Sequence, residues 1–153
     1  MDKSTEYPIP SFRFTVTIDS EIISCQEVTG LEQEVSMIEY RTGDHPKATK
    51  MKVPGIQKTS NVTLKKGVYR EDTFLFDWFN EVKDLQNTGD FTEAKKQVVI
   101  SLMGQDGDND IIISWKLENA FPIKITAPSL NGGDDNIAIE SVEIAHEGLT
   151  IEA

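Results

Sequence analysis

Among 153 residues there is one cysteine and there are two histidines. A lone thiol, Cys25, cannot close an intramolecular disulfide, so a small disulfide-stapled scaffold is excluded. Cys25 lies in a strand-like segment and reads as a small core residue. His45 and His146 are far apart, and neither has cysteine or glutamate at ligand spacing, so no metal site is expected. No apolar run approaches the ~18 residues that a membrane-spanning helix needs. The first ten residues, MDKSTEYPIP, contain no apolar core of the kind that a secretory signal requires, so no such signal is expected. Basic residues are few: 15 Lys and Arg stand against 26 Asp and Glu, a formal net charge of −11. Binding to nucleic acid needs a basic face that displaces counterions, so a generic nucleic-acid binder is disfavoured. The same charge disfavours an anionic membrane surface and favours solubility at high concentration. Neither glycine-rich phosphate-loop pattern occurs, and there is no Gly-x-Ser-x-Gly elbow. His146 beside Glu147 could form an acid–base pair, but a structural histidine at a strand end is the preferred reading. No catalytic residue, cofactor site or enzymatic activity is expected.

What is present suffices for one ordinary domain: 38% of the residues are hydrophobic and 27% are charged. One stretch has unmistakable helical periodicity. Phe74, Leu75, Trp78, Phe79, Val82 and Leu85 recur at spacings of three and four, which predicts a helix over about 71–86. Asp72 is the expected N-cap, Glu71 and Asp77 suit the positive end of the helix dipole, and Gly89 marks the stop. A stripe with two phenylalanines and a tryptophan must be buried against something large. There is no second helix of this quality, so the partner must be a sheet.

The rest of the chain reads as that sheet. Residues 1–11 form an arm, with Pro8 and Pro10 blocking regular structure. Phe12, Phe14, Val16 and Ile18 alternate with polar residues as a half-buried strand, and residues 22–28 return as its hairpin partner. Residues 31–53 read as a long extended hairpin with its tip near Gly43–Pro46, closed by a turn at Val53-Pro54-Gly55. Arg41, Lys47, Lys50 and Lys52 give it a local basic excess, and it is too polar for the core. It is either a solvated loop or a reach towards a neighbouring subunit. Strands follow at 61–65, 97–103, 110–121 and 136–146, with Trp115 on an apolar parity as a core residue. Pro122 bends the chain. Ile137 and Ile139 fall on the opposite parity to Val142 and Ile144, so a bulge is expected near Glu140-Ser141. Asp106-Gly107 is a strong hairpin turn. The acidic run around it resembles a calcium loop only at its start, because positions six and twelve are Ile111 and Leu117. The expected fold is mainly β: a barrel or sandwich of about six to eight antiparallel strands with one flanking helix, in a single domain over 1–153.

Three stretches in order carry a resemblance. They are VPG at 53–55 with VTLKKG at 62–67 and the helix; WKLENAFP at 115–122 running to PSL at 128–130; and NIAIE at 136–140 ending in IAHEGL at 144–149. Together they resemble the inner-tube proteins of contractile phage tails and of phage-tail-like injection systems, over residues 12–149. The resemblance implies a non-enzymatic structural subunit that forms homo-hexameric rings. These stack into a hollow tube inside a sheath, tipped by spike and baseplate proteins and driven through a target envelope on contraction. It implies assembly in a bacterial cytoplasm and use in an extracellular or membrane-anchored particle or virion tail. Protein cargo in the lumen is implied, with nucleic acid only if the particle is a phage. No cofactor is implied. The hairpin then becomes the element that reaches a neighbouring subunit or ring. Its candidate contact residues are Arg41, His45, Lys47, Lys50, Met51, Lys52, Val53 and Pro54. The other reading kept open is a monomeric ligand-binding β-barrel module.

Overall fold

The computed structural model describes residues 7–107, 109–133 and 135–153. Ten strands and one helix lie among them: β1 (Phe14–Ile18), β2 (Glu21–Ile23), β3 (Glu27–Thr29), β4 (Gln33–Tyr40), β5 (Met51–Thr59), β6 (Val62–Gly67), α1 (Phe74–Leu85), β7 (Lys96–Met103), β8 (Ile111–Thr126), β9 (Ile139–Ala145) and β10 (Gly148–Glu152). All pairings are antiparallel. Strand β8 organises the sheets. Its first half pairs with β7 and β10, and its second half pairs with β9. The crossover between them contains Asn119 in a left-handed conformation, the buried Pro122, and a register shift between Pro122 and Lys124. The bend expected at Pro122 is therefore where one sheet turns into the other. The path runs β2-β1-β7-β8-β9-β6-β3.

Alternation places Val16 and Ile18 of β1, Val62 and Leu64 of β6, Val98 and Ile100 of β7, Leu117 of β8, and Val142 and Ile144 of β9 in one core. Helix α1 packs on β8 and supplies Leu75 and Trp78 to that core. The Trp78 indole N–H donates a 2.7 Å hydrogen bond to the Ala94 carbonyl, so its one polar atom is satisfied. Phe74, Val82 and Trp115 are half-buried against the same cluster, and Phe79 and Leu85 are half-buried.

Several expectations are corrected. The helix starts at Phe74, with Thr73 rather than Asp72 in the N-cap position; Glu71, at φ 63°, lies outside it, and the Asp72 carboxylate is taken up by Lys66. Gly89, at φ 74°, returns its N–H to the Leu85 carbonyl and closes the helix end as expected. Phe12 lies before β1 and is exposed. The return strand at 22–28 is broken in two: β2 pairs with β1, while β3 crosses to pair with β6. Val53-Pro54-Gly55 is inside β5 and makes no turn. Strand β10 was not foreseen; it runs back along β8 after Glu147.

The parity slip in β9 has a different cause from a bulge. Strand β9 pairs with β6 in continuous register from Ile139 to Ile144. Glu140 shares the inward parity of Val142 and Ile144, and it faces Lys66 across the ladder. Lys66 in turn continues the inward row of Val62 and Leu64, and its side chain is 1% exposed. Its ammonium lies 2.9 Å from Asp72 Oδ2 and 3.1 Å from Glu140 Oε1, and 5.6 Å from the Tyr69 ring centroid. An ion triad thus occupies positions where the pattern calls for apolar residues. Burial on its own would push the Lys66 ammonium down; the hydrogen bonds and charges of Asp72 and Glu140 outweigh it and lift it above the ordinary 10.5. The hydrogen bond from Lys66 holds the Asp72 carboxyl below the ordinary 3.8 against a smaller opposing effect of burial.

Gly30, at φ 91°, packs so closely that a Cβ there would lie 2.2 Å from the Asn61 carbonyl oxygen. Only glycine meets both conditions. Three substitutions test this packing by thermal or denaturant unfolding. Trp78→Ala should cost about 3–5 kcal/mol through the cavity left. Gly30→Ala should cost about 2 kcal/mol through strain and a displaced Asn61. Lys66→Met should cost about 2–4 kcal/mol, because two carboxylates lose their cation. The pH dependence of this last loss has a definite sign. The Asp72 contribution is present above pH 3.8 and fades as pH falls through its lowered value. The Lys66 contribution is present below pH 10.5 and fades as pH rises through its raised value. The stability gap between wild type and Lys66→Met should therefore be widest between these limits and narrow in acid.

Candidate assembly surface

Among the described residues, strands β4 and β5 pair only with each other and form a separate two-stranded sheet. A free two-stranded ribbon is at best marginally stable in water. This one also carries an unusual load for a solvated hairpin. Val35, Met37, Ile38, Tyr40, Met51, Val53 and Ile56 are all large apolar side chains with 46% to 78% exposure. The register sorts most of them. Ile38 lies opposite Val53 and Tyr40 opposite Met51, so these four share one face near the tip. The other face carries Met37 opposite Pro54 and Glu39 opposite Lys52. A register shift between Val35 and Met37 lets the longer β5 bulge at Gly55 and Ile56. Pro54 is tolerated because, among the described residues, this ribbon has no third strand that needs its missing N–H. Apolar residues on both faces of an exposed ribbon mark a surface built for contact.

The tip is knitted by its own side chains. Arg41 Nε donates to the Lys47 carbonyl at 3.2 Å and Arg41 Nη2 to the His45 carbonyl at 3.3 Å. His45 Nδ1 lies 3.0 Å from the Lys47 carbonyl oxygen. Lys50 pairs with Glu39 at 3.5 Å. Arg41 and His45 are thus spent on shaping the loop, whereas Lys47 and Lys52 make no ion pair among the described residues. Met51, Lys52, Val53 and Pro54 are all on β5, on alternating faces. Charge composition singled out the lysines. The apolar residues beside them alternate like any strand, and only the tertiary placement reveals that neither face is covered.

At its root the hairpin leaves a cleft of about 580 Å³ against β10, lined by Val35, Gln57, Leu149 and Thr150 among others. Among the described residues strand β10 pairs with β8 alone, which leaves its other edge without a partner strand. A second, more apolar hollow of about 340 Å³ lies between Val82, Phe91, Ala94 and Phe121, with Lys95 and Glu147 at its rim. Those two are paired at 2.7 Å, and Asn119 also donates to Glu147. These bonds hold the Glu147 carboxyl below its ordinary value. Glu147 is therefore committed to Lys95, away from His146. His146 instead places Nδ1 3.1 Å from the Gly148 carbonyl oxygen and Nε2 3.0 Å from that of Ser60, which is a structural setting. Burial pushes the Cys25 thiol up to about 12, against a smaller pull from Lys66, so it stays protonated and unreactive. In the 104–110 turn the Asp110 carboxylate accepts from the Asp106 N–H at 3.2 Å; Asp108 lies outside the described residues.

Comparison with known proteins gives these surfaces a context. Residues 10–150 match the family described as T4-like virus tail tube protein gp19, and the chain belongs to that family. It is similar to a chain of the PVC sheath–tube complex of an extracellular contractile injection system, at 32% identity and TM-score 0.83, covering 100% of this chain and 99% of that one. It is also similar to a chain of the anti-feeding prophage tube-terminating cap, at 31% identity and TM-score 0.84, covering 99% and 95%. Hcp1 from Flavobacterium johnsoniae shares the fold, at 13% identity and TM-score 0.56, covering 90% and 93%. The curated proteins contain no match. The protein is thus a homologue of the tube proteins of contractile injection systems, and its relatives are structural tube components.

Charge reversal of Lys47 and Lys52 to Glu leaves every described intramolecular ion pair intact. The double variant should melt within about 1 kcal/mol of wild type yet form shorter or fewer tubes in electron micrographs. Wild-type tube lengths would overturn a contact role for this loop.

Proposed function

We propose that the chain forms homo-hexameric rings that stack into the rigid inner tube of a contractile injection machine. The observation that carries this reading is the uncovered β4–β5 ribbon, apolar on both faces, in a chain of the tail tube family. A closed ring satisfies such a surface because each copy offers the same ribbon and receives a neighbour's. The open edge of β10 and the short edge strands would be covered in the same way. The contact residues at the tip are Lys47, Lys50, Met51, Lys52, Val53 and Pro54, with Arg41 and His45 holding the loop in shape. The lysines meet acidic surface of a neighbouring subunit and set register. Residues 1–153 act as a single tail-tube domain; residues 1–6 of the arm expected over 1–11 lie outside the described residues.

The tube is surrounded by a sheath protein and capped by spike and baseplate proteins, and sheath contraction drives it through a target envelope. It is assembled in the bacterial cytoplasm and works as part of an extracellular or membrane-anchored particle. The similarity to a chain of an extracellular contractile injection system favours an injection particle over a virion. The chain performs no catalysis. Its net charge of −11 per copy, if largely turned inward, makes a lumen that repels nucleic acid and admits protein cargo.

Cryo-electron microscopy of the purified protein tests the reading. Six-fold rings or stacked tubes with the ribbon buried between copies are expected. A stable monomer at all concentrations would contradict it and favour a free ligand-binding barrel, and a basic lumen would sink the cargo reading.

A further inference from the structure

The chain holds seven asparagines, and one of them, Asn131, is followed by glycine. It lies in the loop over 127–138 that joins β8 to β9. Leu130 is 86% and Ile137 79% exposed in that loop, and Asn131, Gly132 and Gly133 are all exposed. The Asn131 carboxamide folds back on its own chain, with Oδ1 accepting the Gly133 N–H at 3.0 Å. That turn brings the side-chain carbonyl carbon close to the backbone that follows it, and the Gly132 nitrogen is the next backbone nitrogen along. Gly132 has no side chain to crowd this nitrogen, and a Cβ built on it would meet nothing within 4 Å. Among the described residues the Asn131 Nδ2 makes no hydrogen bond. The other six asparagines lack this combination. Asn61 and Asn119 donate through Nδ2 to Glu143 and Glu147 at 3.0 and 2.7 Å. Asn61 leads into β6, Asn119 is within β8, and Asn80 is within α1, so the nitrogen that follows each is held in regular structure. Asn87, Asn109 and Asn136 precede Thr88, Asp110 and Ile137, whose side chains crowd the nitrogen.

We propose that Asn131-Gly132 is a self-modifying site: without an enzyme, Asn131 converts to aspartate and isoaspartate and adds one negative charge to the β8–β9 loop. The Gly132 nitrogen loses its proton to solvent base and attacks Asn131 Cγ, forming a carbon–nitrogen bond. Negative charge develops on Oδ1, where the Gly133 N–H already donates. The Cγ–Nδ2 bond breaks, and Nδ2 takes a proton from water and leaves as ammonia. The product is a five-membered cyclic imide. Water then opens the ring. Opening at Cγ gives aspartate; opening at the main-chain carbonyl gives isoaspartate, in which the chain runs through the former side chain. One water is consumed and one ammonia released in the whole sequence, with no oxidant or reductant. The subunit gains one negative charge beyond its −11, four residues before Asp135. No residue of the core cluster comes from 127–138, and Gly132 and Gly133 can absorb the added main-chain carbon. The mark therefore changes the surface and leaves the fold alone. It is a property of the single chain and stands apart from the tube reading.

The test holds the full chain at 37 °C and pH 8 and follows its proteolytic peptides by mass spectrometry. A synthetic peptide of residues 127–138 runs alongside as the clock for an unhindered Asn-Gly pair. In the folded chain the segment containing Asn131 should gain about 1 Da, as two chromatographically separable products, at a rate within about tenfold of the free peptide. Peptides holding the other six asparagines should keep their mass over the same time. Gly132→Ala, which fits the space available, should slow the conversion about tenfold or more by crowding the attacking nitrogen. Asn131→Gln, whose longer side chain disfavours the ring, should leave the segment's mass unchanged. Both variants should keep the wild-type thermal transition. A folded-chain rate more than about tenfold below that of the free peptide, or equal rates in wild type and Gly132→Ala, would overturn the proposal. Neither result bears on ring formation, which microscopy reads separately.

Discussion

The buried ammonium of Lys66 is the constraint around which the body is arranged. It ties three separate pieces of chain together: β6 by the backbone, the entry to α1 through Asp72, and β9 through Glu140. A cation in that position cannot be left alone, since an unpaired buried charge costs several kcal/mol. Both carboxylates must therefore arrive for the fold to close. The same requirement explains two local departures. Asp72 is drawn to Lys66 and accepts only a long 3.4 Å bond from the Phe74 N–H, and the helix begins later than its charge pattern suggests. Glu140 occupies an inward position that an apolar residue would otherwise fill. An apolar triplet could be as stable, but it would not dictate which strand meets which with the same discrimination.

That fixed body is what gives the ribbon a defined root. Strand β5 passes through Ser60 and Asn61 directly into β6, the strand that carries Lys66. Gly30 lets the outgoing leg lie against the Asn61 carbonyl, and His146 closes the corner from β9. The ribbon itself has no such support. Among the described residues it has neither a third strand nor a covering helix, and its apolar side chains are exposed on both sides. The body is thus tied together through buried partners while the ribbon is left uncovered, which is the arrangement expected if copies of the chain complete it as proposed.

Much of this was legible in the sequence, and the misses have physical reasons. The helix was plain because Leu75 and Trp78 sit on a strong 3.6-residue period, and a buried aromatic stripe has few alternatives. Its first residues were misplaced because Glu71 adopts a positive φ, which no pattern reveals. Pro54-Gly55 reads as a turn in any chain; inside a ribbon with two open edges it is compatible with a strand and a bulge. Strand β10 was overlooked because only Leu149 of its five residues is buried, so it has little alternation to detect. The family resemblance was specific because it rested on three ordered motifs. The basic tip was visible as composition, but an exposed Ile38 or Tyr40 looks like any strand residue until the missing cover is seen.

If a neighbouring copy finishes the ribbon, the ribbon's accessibility must fall on assembly. A Tyr40→Cys variant in a Cys25→Ala background places a single thiol on the apolar face near the tip. Its rate of maleimide labelling should be fast in the free subunit and suppressed at least tenfold in assembled tubes. Equal rates in tubes and in free subunits would mean that no neighbouring copy covers the ribbon.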